Sequence, residues 1–270
     1  MTPEDRAMVT ALCADRAGLR VDPEKEYLLE NRLGPVARRE GFVGLGEMLQ
    51  TLRDRGDERL VWAVVEAMSP SETAFFRDPA TFAAVAGPAL EDLARRRAGQ
   101  TLRVWVAACG SGQEVYSLAM LLDEQAPDGV TVDLCASDLS ERRLERARSG
   151  VYSQFEVQRG LAARRLVRHF EKADETFVVA RRIRQMVRWR RVNLMEDLTP
   201  FGQFDLIFCR NVLGALVESA RTEVLGNLKG CLAEGGYLVL GLGDAASGLT
   251  ALPGGAGVHQ AETRRRAAAA

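Results

Sequence analysis

The chain has 270 residues, with 36 Lys and Arg against 37 Asp and Glu, and a formal net charge of -1 that removes any global electrostatic pull toward nucleic acid or an anionic membrane. At 47% hydrophobic and 27% charged the composition is that of an ordinary soluble protein, and the length suits one large domain with a small one. No run approaches the ~20 apolar residues of a membrane span, and Met1-Thr2-Pro3-Glu4-Asp5 lacks the basic and apolar regions of a signal peptide, so a cytoplasmic location without membrane insertion is expected.

From Pro3 to Met68 the pattern is helical. Apolar residues recur at three- and four-residue spacing in Tyr27, Leu28, Leu33, Val36 and Ala37, and again in Leu60, Val61, Val64, Val65 and Met68. Breaks fall at Gly18, Gly41, Gly44 and Gly56, with start signals at Asp22-Pro23 and Asp57. This predicts a small all-helical domain over 1–76.

A second helical stretch, Pro79 to Arg97, leads into a different texture. Strands are predicted at Leu102 to Ala108, Val130 to Ser137, Met186 to Leu194, Phe204 to Cys209 and Gly236 to Leu242, with helices at Glu114 to Glu124, Glu141 to Ser149 and Glu218 to Leu232. Apolar strands alternating with helices predict an α/β fold with a doubly wound parallel sheet over 77–253, whose ligands belong at the carboxyl ends of the strands. The span 151–185 exceeds one crossover helix and reads as an insertion, while 254–270 reads as a disordered tail.

The five cysteines are scattered and never spaced as CxxC, and three lie in apolar runs where a thiol behaves as a core hydrophobe. With only His169 and His259 present, no metal site and no Ser-His or Cys-His triad is expected.

The first strand ends in Ala107-Ala108-Cys109-Gly110-Ser111-Gly112-Gln113-Glu114, a GxG turn running into a helix. Such a turn either lets backbone approach a ligand or is simply tight. Glu114 and the missing third glycine speak against a pyrophosphate. The second strand ends at Asp138, where a carboxylate can hold a ribose diol, although Asp138 or Ser140 could equally cap the next helix. Together the two features favour adenosine without pyrophosphate, and so S-adenosyl-L-methionine.

Between the domains lies Met68-Ser69-Pro70-Ser71-Glu72-Thr73-Ala74-Phe75-Phe76-Arg77-Asp78. On its own terms the segment could be packing, with Arg77 in an ion pair. It resembles the junction signature of the chemotaxis receptor methyltransferases (CheR), roughly T-T-N-x-T-x-F-F-R-[DE]. The resemblance spans about Leu19 to Leu249. It includes Tyr27 to Leu33, Ala107 to Met120, Ala147 to Tyr152, Val192-Asn193-Leu194 and Phe204 to Leu213.

The resemblance implies an all-helical N-terminal domain and a Rossmann-like S-adenosylmethionine-dependent methyltransferase domain with a short β insertion. It implies methyl transfer to glutamate side chains in the cytoplasmic helical bundle of chemoreceptors. By position it implies that Ser71, Thr73, Arg77, Glu114, Asp138, Asn193, Leu194, Arg210 and Asn211 surround the cofactor. Asp138 would take the ribose, Asn193 and Leu194 the adenine, and Thr73, Arg77 and Glu114 the methionine end; Arg77 would also orient the acceptor as the catalytic residue. A monomer suffices.

The acceptor side departs from the family. Where its members commonly continue Arg-Asn-Val-[LM] with Ile-Tyr-Phe, this chain has Gly214-Ala215-Leu216, with no hydroxyl at Ala215. Ser71 stands for an asparagine, and Gly241-Leu242-Gly243-Asp244 for a frequent Gly-His-Ser-Glu. These departures leave open a catalytically impaired docking or regulatory protein that binds S-adenosylmethionine or S-adenosylhomocysteine.

From Arg159 to Arg191 there are eleven bases against three acids, an excess of eight that reads either as a solvated face or as a docking surface for an acidic helical bundle. A nucleic-acid methyltransferase could use it too. The chain, however, has neither the acidic-Pro-Pro-aromatic motif of amino methylation nor a Pro-Cys nucleophile, and no nucleic-acid partner is expected.

Overall fold

Thr2 begins the first helix with a capping box: its hydroxyl accepts from Asp5 N at 3.1 Å and the Asp5 carboxylate accepts from Thr2 N at 3.0 Å. The computed structural model describes residues 1–70, 72–125, 129–254 and 256–262. Helices α1 (Pro3–Ala17), α2 (Glu26–Arg39), α3 (Leu45–Arg55) and α4 (Glu58–Met68) make up most of a first compact unit, Met1–Pro70 with Gly214–Val224. Gly18 and Gly56 end α1 and α3 in the left-handed conformation, and Asp57 caps α4 by accepting from Arg59 N at 2.9 Å.

The apolar stripe of α4 is buried throughout, whereas α2 differs from expectation. Its inner face is Leu29, Leu33, Val36 and Ala37, and Tyr27 is 67% exposed. Tyr27 lies two residues from Leu29 and so on another face of the helix. The expected start at Asp22-Pro23 is a turn, with α2 beginning only at Glu26.

The second unit is Ser71–Leu213 with Leu225–Ala270. Phe75 and Phe76, counted with the helical domain in the sequence, are buried in this unit's core among Phe82, Tyr152 and Phe208. Helix α5 (Pro79–Ala84) continues through a π-helical turn, Val85–Ala89, into α6 (Leu90–Arg96). Pro88 sits in that turn and donates no backbone hydrogen bond, which disrupts the regular ladder there.

Then follow β1 (Thr101–Val106), α7 (Gln113–Gln125), β2 (Thr131–Asp138) and α8 (Glu141–Ser149). The inserted span contains β3 (Val151–Ser153), α9 (Gln154–Gln158), α10 (Ala163–His169), β4 (Phe170–Ala173), β5 (Thr176–Val179) and α11 (Arg181–Arg184). Its strands form a separate antiparallel sheet in the order β3-β5-β4. The main chain of the fold resumes with β6 (Val187–Arg191), β7 (Phe204–Cys209), α12 (Glu218–Gly230), β8 (Leu232–Leu240), β9 (Thr250–Ala251) and β10 (Val258–Gln260).

The large sheet runs β6-β2-β1-β7-β8-β10-β9, parallel from β6 to β8 and antiparallel beyond. From β1 the chain goes first to β2 on one side and later to β7 on the other, so the strand order switches at the carboxyl ends of β1 and β7. Every residue of β7 is buried, including Asp205. That carboxylate is satisfied at the other edge of the sheet by Arg103 N at 2.9 Å and Arg97 Nε at 2.7 Å.

Two expectations need correction. Strands β9 and β10 fall outside the expected elements, and the tail expected to be disordered from Gly254 instead places Val258–Gln260 against β8. A three-residue strand offers too little alternation to be read, and the glycines before it signal only loop. Residues 263–270 lie outside the described residues. Among the described residues no helix is long and apolar enough to cross a membrane, and no group of three or more His, Cys, Asp or Glu could hold a metal ion.

Candidate cofactor and methyl-transfer site

The turn after β1 is strapped to both neighbouring strands: Ala107 N donates to Phe208 O at 2.7 Å and Cys109 N to Ser137 O at 2.9 Å. Ala108, Gly110 and Gly112 all have positive φ, at 51°, 58° and 91°. The two glycines serve different ends. A Cβ on Gly112 would lie 2.9 Å from Ala147 Cβ and 3.1 Å from the Tyr152 hydroxyl, whereas one on Gly110 would meet only Thr73, at an ordinary 3.4 Å. Gly112 therefore permits packing against α8, and Gly110 leaves backbone open beside Thr73.

Asp138 is buried at the tip of β2. Its Oδ2 accepts from Gly110 N at 2.8 Å and its Oδ1 from Ser140 N at 2.9 Å, with Arg143 Nη1 at 3.7 Å. The cap of α8 is Ser140, whose hydroxyl accepts from Arg143 N at 3.3 Å. Asp138 is thus not the capping residue. A carboxylate has about four acceptor positions, so two backbone donors leave capacity for a diol.

The end of β6 lies alongside, with Val192 N donating to Asp138 O at 3.1 Å. Asn193 follows, its Oδ1 accepting from Met195 N at 3.2 Å, and Leu194 O accepts from Asn227 Nδ2 at 3.1 Å. The structure so places Asp138, Asn193 and Leu194 at one edge of the sheet.

Glu72, Thr73, Arg77, Ala108, Cys109, Glu114, Arg210 and Asn211 line a small cavity at the same edge. Arg210 departs from expectation. Its side chain is fully buried and turned to the protein: Nη1 donates to Glu114 Oε2 at 2.6 Å and to Arg77 O at 3.0 Å, and Nη2 to Asp78 Oδ2 at 2.5 Å. Asp78, unremarked in the sequence beyond its place in the motif, pairs with Arg210, while the ion pair expected of Arg77 is not formed among the described residues. Among the described residues the Arg77 guanidinium has no hydrogen-bond or ion-pair partner. Burial raises the Glu114 carboxyl above its ordinary range, and Arg210 opposes that rise by charge and hydrogen bond.

Phe76, Asp78, Ala108 and Asn211 carry four of the five positive-φ values at non-glycine residues among the described residues. Strain of this kind concentrates where a site over-determines the backbone. The two phenylalanines of the junction are packing: Phe75 meets Tyr152 and Phe170 edge-on at 5.0 and 5.6 Å, and Phe76 lies under the Arg165 guanidinium. Phe76 N donates to Ser117 Oγ at 2.8 Å, tying the segment to α7. Ser71 lies outside the described residues.

No histidine lines the cavity. His169 is buried between Glu124 and Arg182, and His259 is on β10. Burial pushes the Cys109 thiol well up, with Asp138 adding to the effect, so it is a poor nucleophile. Of the eleven bases from Arg159 to Arg191, Arg165, Arg168, Arg182 and Arg188 pair with Asp123, Glu124 or Asp133 outside that span. Part of the local excess is therefore neutralised within the fold.

The family model described as "CheR methyltransferase, SAM binding domain" matches residues 71–252. The chain belongs to the CheR methyltransferase family. It is 37% identical over 239 residues to chemotaxis protein methyltransferase 1 of Pseudomonas aeruginosa, covering 86% of each chain. It is 34% identical over 238 residues to chemotaxis protein methyltransferase Cher2 of Pseudomonas putida, again 86% of each. The chemotaxis protein methyltransferase of Vibrio parahaemolyticus is 35% identical over 240 residues, 87% of this chain and 86% of that one. The α/β fold and S-adenosylmethionine as cofactor stand with this membership.

The residues of the CheR domain suit that cofactor. Its methionine end carries an ammonium and a carboxylate, and the cavity offers the Glu114 carboxylate and the Arg77 guanidinium, which has no partner among the described residues. Its ribose carries a diol, and Asp138 has acceptor capacity to match.

Proposed function

We propose that this chain transfers a methyl group from S-adenosylmethionine to glutamate side chains in the cytoplasmic helical bundle of chemoreceptors, giving methyl esters. The observation that carries the reading is a small cavity lined by Glu114 and Arg77 and by no histidine, in which the Arg77 guanidinium has no hydrogen-bond or ion-pair partner among the described residues. A glutamate side chain has an ordinary pKa of ~4.3, so it arrives as an anion and needs no general base. The cofactor, when bound, supplies a methyl group already activated on a sulfonium.

The protein then contributes placement. Asp138 holds the ribose hydroxyls, Asn193 and Leu194 bound the adenine, and Thr73, Arg77 and Glu114 hold the methionine end. Asn211, in its left-handed conformation, lines the floor beside them. Arg77 orients the incoming carboxylate. Bringing acceptor oxygen and methyl carbon in line at ~3 to 3.5 Å is worth up to ~7 to 11 kcal/mol. Binding the carboxylate too tightly would forfeit part of that gain by stabilising the ground state.

A second reading is favoured by Ala215, which brings no hydroxyl where the family commonly has a tyrosine: a docking protein that binds the cofactor without efficient transfer. The test is transfer of labelled methyl to chemoreceptor cytoplasmic fragments, scored as alkali-released methanol. Release supports the glutamyl methyl ester, which is base-labile. Absence of release together with intact binding of S-adenosylhomocysteine supports the docking protein.

A further inference from the structure

Asp78 immediately precedes α5, where Asp followed by Pro is a common way to begin a helix. Its side chain nevertheless makes no capping hydrogen bond. The residue adopts φ 58°, ψ 78°, a left-handed conformation that Asp tolerates better than most side chains, and its carboxylate reaches Arg210 Nη2 at 2.5 Å. Backbone strain and a forgone cap both accompany this one contact.

Arg210 has little else to fix it. Its Nε is buried and has no hydrogen-bond partner among the described residues. Nη1 is shared between Glu114 and Arg77 O, and Nη2 is held by Asp78. Without Asp78 the guanidinium would be held by one nitrogen and could turn about it. The negative charge of Asp78 does not itself favour an anionic Glu114; it opposes it. Its benefit has to be geometric.

We infer that Asp78 is a positioning residue for the cofactor site: by holding Arg210 Nη2 it seats the guanidinium on Glu114, and so fixes the carboxylate that receives the cofactor's ammonium group. The inference rests on the cofactor placement proposed above, in which Glu114 contacts the methionine end.

The experiment is calorimetric titration of S-adenosylhomocysteine into the full chain and into Asp78→Gly, Asp78→Asn, Glu114→Gln and the Asp78→Gly/Glu114→Gln pair. Glycine suits the left-handed backbone, so Asp78→Gly removes the carboxylate without adding strain, and melting curves check that each variant folds. Asparagine keeps an acceptor oxygen at the same place. Asp78→Gly should weaken binding about tenfold or more, Asp78→Asn less than about threefold, and Asp78→Gly should add less than about twofold to Glu114→Gln. Wild-type affinity in Asp78→Gly, or a full additional loss on the Glu114→Gln background, overturns the positioning role. Should Glu114→Gln alone bind normally, the cofactor placement falls and the inference with it.

Discussion

The backbone N–H of Gly110 donates to the Asp138 carboxylate over 2.8 Å, so the turn after β1 and the tip of β2 are held as one surface. Asp138→Ala removes that acceptor, the acceptor for Ser140 N, and the proposed ribose contacts. Each buried donor left unsatisfied costs about 1–3 kcal/mol, so the melting temperature should fall. Affinity for S-adenosylhomocysteine should fall by about 100-fold or more, since two hydrogen bonds to a charged group are lost. Unchanged affinity in a folded Asp138→Ala protein would disprove the ribose assignment.

The two glycines of the turn should separate fold from ligand. Gly112→Ala places a Cβ 2.9 Å from Ala147 Cβ at φ 91°, and should cost about 2 kcal/mol or more in chemical denaturation. Gly110→Ala meets nothing closer than 3.4 Å and keeps a φ of 58°, so about 1 kcal/mol is expected. Its larger effect should be on cofactor affinity, where the added methyl intrudes on the open backbone. Equal stability losses in the two variants would contradict this division of labour.

Much of this surface was legible because strand ends carry their own markers. Apolar runs ending at Gly110, Asp138 and Asn211 mark the sheet and the edge proposed to bind the cofactor. What stayed hidden depends on long-range partners. That Arg210 turns inward to Asp78 and Glu114, 132 and 96 residues away, has no local signature. Nor does the neutralisation of Arg165 and Arg182 by acids at the end of α7. The sheet strands β9 and β10 escaped because they are too short to show alternation.

Glu114 should impose a pH dependence of definite sign. Its carboxyl lies above the ordinary 4.5 because of burial, despite Arg210. A folded value above the unfolded one means that the contribution of Glu114 to stability is fully present below its unfolded pKa and is lost as pH rises through the folded value. Cofactor affinity should run the opposite way, because the proposed ammonium contact requires the Glu114 anion. Binding of S-adenosylhomocysteine should therefore weaken as pH falls, with a midpoint above 4.5 that is missing in Glu114→Gln. A wild-type profile identical to that of Glu114→Gln would rule Glu114 out as the ammonium partner.

The inserted subdomain has its own acid-sensitive anchor. Glu124, at the end of α7, accepts from Arg165 Nε and Nη2 at 2.8 to 3.1 Å and lies 2.9 Å from His169 Nε2. The Arg165 hydrogen bonds hold its carboxyl down to about 2. A lowered folded value gives stability that is present above the unfolded pKa and lost as pH falls toward about 2. Glu124→Gln should thus lower stability to urea at pH 7, and the gap to wild type should close between pH ~4.5 and ~2. A gap independent of pH would assign the effect to shape rather than charge.

Restoring the family's tyrosine tests whether Ala215 limits turnover. Ala215 O accepts from Arg20 N at 2.7 Å, and the residue borders a cavity of about 560 Å³ with Arg20, Lys25, Leu28, Arg32 and Met68. A side chain added beside such space need not displace the core, so Ala215→Tyr should fold with a stability change under about 1 kcal/mol. If acceptor placement is the slow element of the proposed reaction, the variant should raise kcat toward receptor fragments about 10-fold or more while leaving the affinity for S-adenosylhomocysteine within about twofold. The split matters because uniform tightening of cofactor binding would move KM instead. Methanol release measured under cofactor saturation separates the two. An unchanged kcat in a folded Ala215→Tyr protein would mean that this chain places its acceptor by other groups, with Arg77 the first to replace.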